Sequence, residues 1–152
     1  VGLTGLSLGG YTSALLAAVE DRLKVVVPNV PVIEPHSLLE SWFPASTVLD
    51  VGYRLARADE AAAQAGMAYH SPLNYVPLVP RERRLIITGL GDRLAPPAQA
   101  EMLWHHWDKC AFHWFPGNHI VHISQPDYIR RMTRFMREND FMPDEWRKPR
   151  VA

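Results

Sequence analysis

The chain has 152 residues, 47% of them hydrophobic, which is enough for one domain that buries a core of its own. Lys and Arg number 16 and Asp and Glu number 16, so the formal charge is zero and no electrostatic argument favours nucleic acid or an anionic membrane surface as a partner. One cysteine, Cys110, excludes an internal disulfide framework, and no apolar run approaches the roughly 20 residues of a membrane span. No stretch reads as a signal peptide and nothing requires export, so the cytoplasm is the default expectation.

In chain order, "VGLTGLS" is short, apolar and punctuated by glycine, as at the end of a buried strand. "YTSALLAAVEDRL" follows with apolar residues at helical spacing, and "KVVVPNV" is a β-branched run that reads as a second buried strand stopped by Pro28. From residue 31 to about 67 the pattern changes. Pro31, Pro35 and Pro44 interrupt it, and "RLARADEAAAQAGM" then reads as one helix closed by Gly66. This stretch is expected to be a helical insertion rather than part of a strand–helix alternation. "SPLNYVPLVPRERR" is a Pro-rich connector.

"RLIITGLGD" is the clearest strand, with a polar entry, an apolar run and a Gly-rich exit. A helix is predicted from Pro96 and Pro97 onward, with Met102, Leu103 and Trp107 as its apolar residues. "CAFHWFPG" is a last strand ended by Pro116 and Gly117, and "QPDYIRRMTRFMREND" an amphipathic helix with Tyr128, Ile129, Met132, Phe135 and Met136 on one stripe. Residues 141–152 read as a tail after a domain over 1–140. Strand–helix alternation of this kind predicts an α/β fold with a parallel sheet.

Three positions carry chemistry. Ser7 sits in Gly5-Leu6-Ser7-Leu8-Gly9, between a strand and a helix. A serine on so sharp a turn projects its hydroxyl from the sheet edge, and glycines two positions either side let strand and helix pass closely. The helix start aims backbone N–H groups at the same place, so the N–H of Leu8 is a candidate oxyanion donor. The other reading of Ser7 is a helix-capping serine.

Asp92 directly follows "LIITGLG", at the carboxyl end of a strand, where catalytic groups of open α/β sheets gather; helix capping is its other reading. His119 lies in "FPGNHIVH" just beyond the last strand, with His122 in reserve; an exposed loop histidine is the alternative. A serine needs a base, and the base needs an orienting acid. The pair His119 and His122 lacks a convincing third metal ligand, and the glycines near Ser7 lack the lysine of a phosphate-binding loop, so neither metal nor cofactor is expected. His113 and Cys110 read as packed residues.

With serine, acid and histidine each after a separate strand and in that order, the chain resembles the α/β-hydrolases: "GLSLGG" as nucleophile elbow, "GLGDRLAPP" as acid loop, "FPGNHIVH" as histidine loop. The resemblance runs from residue 1 to about 140 and implies Ser7 as nucleophile, Asp92 as acid and His119 as base. It implies a mostly parallel sheet equivalent to strands five to eight of such enzymes, flanked by helices. Residues 31–67 then fall where a helical cap stands, with Leu38, Leu39, Trp42 and Phe43 lining an acyl pocket or forming ordinary cap core. The expected activity is hydrolysis of a small-molecule carboxylic ester. A non-catalytic binding or scaffold domain of the same fold is the alternative.

Residue 1 would lie inside strand five of that fold, leaving four strands and the loop that brings a second oxyanion donor unaccounted for. Losing one such donor costs about a hundred- to a thousandfold in rate. The first strand would also present an apolar edge, a place for association with another chain or segment.

Overall fold

The computed structural model describes residues 1–34, 44–57 and 59–143. Four strands form one parallel sheet in the order β1-β2-β3-β4: β1 (Gly2–Leu6), β2 (Val25–Asn29), β3 (Leu85–Gly89) and β4 (Ala111–Phe115). Between and after them come α1 (Leu8–Leu16), α2 (Ala45–Ala56), α3 (Glu60–Ala68), α4 (Pro97–His106) and α5 (Gln125–Glu138). Sequence neighbours are spatial neighbours throughout, and all strands point the same way. The α/β fold with a parallel sheet is therefore the observed one.

The strands alternate their side chains between two cores. Val26 and Ile86 face Ala14, Ala17, Leu103 and Trp107, so α1 and α4 cover one side. Val25, Val27, Leu85 and Ile87 face the other, where Phe115 and Phe135 close the layer with α5. Strands covered on both faces read as continuous apolar runs, which is why β2 and β3 are buried at every position. Truncating a fully buried residue such as Ile87 to Ala removes roughly 2–5 kcal/mol.

Four local expectations are corrected. Pro28 does not stop the second strand: β2 continues through it, with Gly5 opposite Pro28 and Leu6 opposite Asn29. Val30, two residues on, donates to the Ile87 carbonyl at 2.7 Å, so by the strand's period of two the missing N–H of Pro28 faces β3. The ladder to β3 accordingly pairs at Asn29 and Val26 with a gap between, whereas the ladder to β1 is unbroken.

Helix α1 ends at Leu16 rather than near Leu23. The Ala17 carbonyl, which the next turn would use, instead accepts Leu78 N–H at 2.8 Å from the Pro-rich connector. The helix read across residues 54–67 is two helices. Arg57 turns left-handed at the end of α2, and the Asp59 carboxylate caps α3 by accepting from Ala61 and Ala62 N–H at 3.0 and 3.3 Å. Gly66 lies inside α3. Of the α5 stripe only Phe135 is buried; Tyr128 and Met132 are half-covered and Ile129 is exposed.

One buried charge anchors the connector. Arg84 donates to the Val79 carbonyl at 2.6 Å and to the Trp107 carbonyl at 3.3 Å, with Asp108 at 3.6 Å. Burial pushes its guanidinium pKa down, and these acceptors keep it satisfied.

Candidate active site

Ser7 separates β1 from α1 with no intervening residue, and that abruptness sets its backbone to φ 57, ψ −115. Non-glycine residues held there carry about 1–3 kcal/mol of strain, so the surroundings must fix the turn. Ser7 N–H donates to the Asn29 carbonyl at 2.9 Å, and the Ser7 carbonyl accepts the first helical bond from Tyr11 N–H at 3.0 Å. The Ser7 side chain does not cap α1. Leu8 is the first residue of that helix, where N–H groups have no carbonyl one turn back.

The glycines behave unequally. A Cβ on Gly5 would sit 2.2 Å from the Gly9 carbonyl oxygen, so strand and helix approach too closely for any side chain there. A Cβ on Gly9 would meet nothing within 4 Å among the described residues, which corrects the expectation that both flanking glycines are sterically required. The second tight position is Gly10, whose Cβ would lie 2.7 Å from the Asn29 carbonyl oxygen.

Asp92 stands three residues past the end of β3. Leu90 and Gly91 N–H donate to the carbonyls of Phe115 and Gly117 at 3.0 and 2.8 Å, tying the acid loop to the loop after β4. The Asp92 side chain is 0% exposed. Its Oδ1 accepts Leu94 N–H and Ala95 N–H, both at 2.8 Å, and its Oδ2 lies 2.7 Å from His119 Nδ1. The turn bonds fall ahead of α4, whose N-cap is Pro96. Asp92 therefore orders its own loop with one oxygen and addresses His119 with the other.

His119 is presented by a tight loop. Gly117 takes φ 148, a Cβ on it would meet the Val121 carbonyl oxygen at 2.2 Å, and Asn118 N–H donates to that same carbonyl at 2.9 Å. Asn118 Oδ1 accepts from Ile120 and Val121 N–H at 3.0 and 2.9 Å. The His119 side chain keeps 15% of its surface exposed. His122 is placed elsewhere: its ring stacks on Phe115 at 4.2 Å and meets Tyr128 edge-on at 5.8 Å. An ionised carboxylate only accepts hydrogen bonds, so the Nδ1 of neutral His119 carries the proton and Nε2 keeps its lone pair.

The remaining candidates sit apart from this pair. His106 Nε2 lies 2.8 Å from the Tyr75 carbonyl, and His105 packs edge-on against Trp104. Cys110 is buried, and burial pushes its thiol up to about 12. Among the described residues no three His, Cys, Asp or Glu side chains cluster as metal ligands, and no helix is long and apolar enough to cross a membrane. Leu38, Leu39, Trp42 and Phe43 lie outside the described residues. Sequence reasoning missed Asn29 and Gly10; the one legible sign was a polar residue ending an otherwise apolar run in "VVVPNV".

No family model matches the chain. It is similar to two Mycobacterium tuberculosis proteins, Uncharacterized protein MT2702 of strain CDC 1551 / Oshkosh and Uncharacterized protein Rv2627c of strain H37Rv, each 34% identical over 99% of this chain. The chain spans 35% of their length. Among solved structures it superimposes on a Mycobacterium tuberculosis puromycin-hydrolyzing peptidase with TM-score 0.68 and 20% identity, covering 94% of this chain and 23% of that one. An acetyl xylan esterase from Paenibacillus sp. R4 also gives TM-score 0.68, at 18% identity, covering 90% of this chain and 44% of the esterase. A Pyrococcus horikoshii acylaminoacyl peptidase gives 0.58 at 23% identity, covering 92% and 23%. Parallel strand order, helices on both faces and these superpositions agree: the chain has the α/β-hydrolase fold.

Proposed function

We propose that this chain carries the nucleophile, acid and base of a serine hydrolase that cleaves small-molecule carboxylic esters. The observation that carries the reading is the 2.7 Å Asp92–His119 hydrogen bond, on the same sheet edge as a strained serine whose side chain does not cap its helix. Strain and a fully buried carboxylate both cost stability, and acyl transfer gives each a use. The structural neighbours act on amide and ester bonds by their own names, and both reactions begin with attack on an acyl carbon.

In this mechanism His119 Nε2 takes the Ser7 hydroxyl proton as Oγ forms a bond to the acyl carbon. The carbonyl π electrons move onto oxygen, and Leu8 N–H, at the positive end of α1, faces that charge. The alcohol leaves with the proton from His119, giving an acyl-serine. Water then attacks, losing its proton to His119, and the acid departs as Ser7 regains its hydroxyl. Asp92 holds the imidazole in the Nδ1–H form and stabilises its transient positive charge.

The test is turnover of a short p-nitrophenyl ester by the protein and its Ser7→Ala form. Loss of turnover to background is the expected result; turnover at the unsubstituted rate overturns the reading.

A further inference from the structure

The Ser7 turn is held by a residue that the chemistry above does not use. We infer that Asn29 is a positioning residue for the Ser7 turn, an assignment that rests on the reading of Ser7 as nucleophile. Asn29 ends β2 and is 3% exposed. Its backbone carbonyl accepts Ser7 N–H at 2.9 Å, the bond that fixes the strained residue from outside its own helix. Its side chain reaches across to β1: Nδ2 donates to Thr4 Oγ1 at 2.8 Å, to the Val27 carbonyl at 2.9 Å and, weakly, to the Gly5 carbonyl at 3.4 Å. Thr4 Oγ1 donates in turn to the Val27 carbonyl at 2.8 Å.

Two carbonyls facing one amide leave a single sensible orientation, with nitrogen toward β1, because the flipped amide would set oxygen against oxygen. The opposite atom, Oδ1, is then buried with no hydrogen-bond partner among the described residues. An apolar residue of the same size would avoid that cost, so the bonds that Nδ2 makes are what offset it.

Strain surrounds the same bond. Ser7 stands at φ 57 on one side, and Val30, the residue after Asn29, stands at φ 38 on the other, an uncommon conformation for a β-branched residue. Gly10 lets α1 come down onto the Asn29 carbonyl. Asn29 thus clamps strand to strand just below the turn, and the direction of Ser7 Oγ follows from where that clamp holds the Asn29 carbonyl.

The experiment compares Asn29→Leu and Thr4→Val with the unsubstituted protein, measuring the second-order rate of fluorophosphonate labelling at Ser7, thermal stability, and kcat and KM on a p-nitrophenyl ester. Asn29→Leu removes all three side-chain donations, and Thr4→Val keeps shape while removing the Thr4 hydroxyl. The expected result for Asn29→Leu is a labelling rate and kcat about tenfold lower with KM held, because the backbone carbonyl that accepts Ser7 N–H remains but is no longer clamped to β1. Thr4→Val should move the same way by a smaller factor, and it decides the matter if Asn29→Leu does not fold. A purely structural clamp would lower the melting temperature and leave labelling well below that temperature unchanged; that result overturns the inference alone. An unsubstituted protein that does not label at Ser7 overturns the reading of the site and the inference with it.

Discussion

His119 Nδ1 and Asp92 Oδ2 lie 2.7 Å apart although 27 residues separate them in sequence. Two different strands deliver them. Asp92 leaves the end of β3 and His119 the end of β4, and the bonds from Leu90 and Gly91 to the carbonyls of Phe115 and Gly117 hold the two exits side by side. The contact is thus a product of parallel pairing carried a few residues past the strand ends.

That geometry predicts a specific outcome for Asp92→Asn. The asparagine oxygen still accepts from Leu94 and Ala95, so the acid loop keeps its turn. Its NH2 now faces His119 Nδ1 and selects the tautomer with the proton on Nε2, which cannot act as a base. Ester turnover should fall by about 10⁴-fold while the protein stays folded, as circular dichroism and a kcat measurement will show. A variant within tenfold of the unsubstituted rate would mean that the carboxylate does not set the tautomer.

The unequal glycines predict unequal alanines. Gly5→Ala drives a Cβ to 2.2 Å from a backbone oxygen that cannot yield without moving α1 away from β1. It should cost several kcal/mol, on the order of the larger core substitutions. Gly9→Ala meets nothing within 4 Å among the described residues and replaces glycine within a helix, so it should be neutral or gain up to about 1 kcal/mol. Thermal denaturation of the two variants separates these outcomes, and equal losses would contradict the close approach at Gly5.

Stability should also depend on pH through His113. This residue sits in β4 with Nε2 buried and unpartnered among the described residues. Burial first, then the Arg131 guanidinium, hold its imidazole pKa below the usual value, with Asp127 pulling the other way. The unfolded chain therefore binds the proton more readily than the folded one. His113 contributes its stability above about pH 6.5, the unfolded value, and that contribution is lost as pH falls through the lower folded value. Urea midpoints at pH 7.5 and 5.5 should differ less in His113→Gln than in the unsubstituted protein. Identical differences would remove His113 as a source of the dependence.

Much of the fold is legible in the chain because β2 and β3 are covered on both faces and so appear as unbroken apolar runs. The turns around Ser7, Asp92 and His119 are legible too, since glycine and proline mark each strand exit. What escapes is decided by contacts distant in sequence. The end of α1 depends on Leu78 taking the Ala17 carbonyl, and the passage of β2 through Pro28 depends on which neighbour its missing N–H faces. The break between α2 and α3 is local, but Asp59 within an alanine-rich run reads as helix until its carboxylate is seen capping Ala61 and Ala62. The Asn29 clamp has no motif at all, because its partners Thr4, Gly5 and Ser7 come from another strand and the turn beyond it.

The central claim is that Ser7 is an activated nucleophile. The most direct measurement is reaction of the folded protein with a fluorophosphonate, followed by peptide mass mapping, with His119→Ala run beside it. The account predicts covalent label on the peptide containing Ser7 and at no other serine, and its loss in His119→Ala. No label, or label at Ser7 that is indifferent to His119, would contradict it.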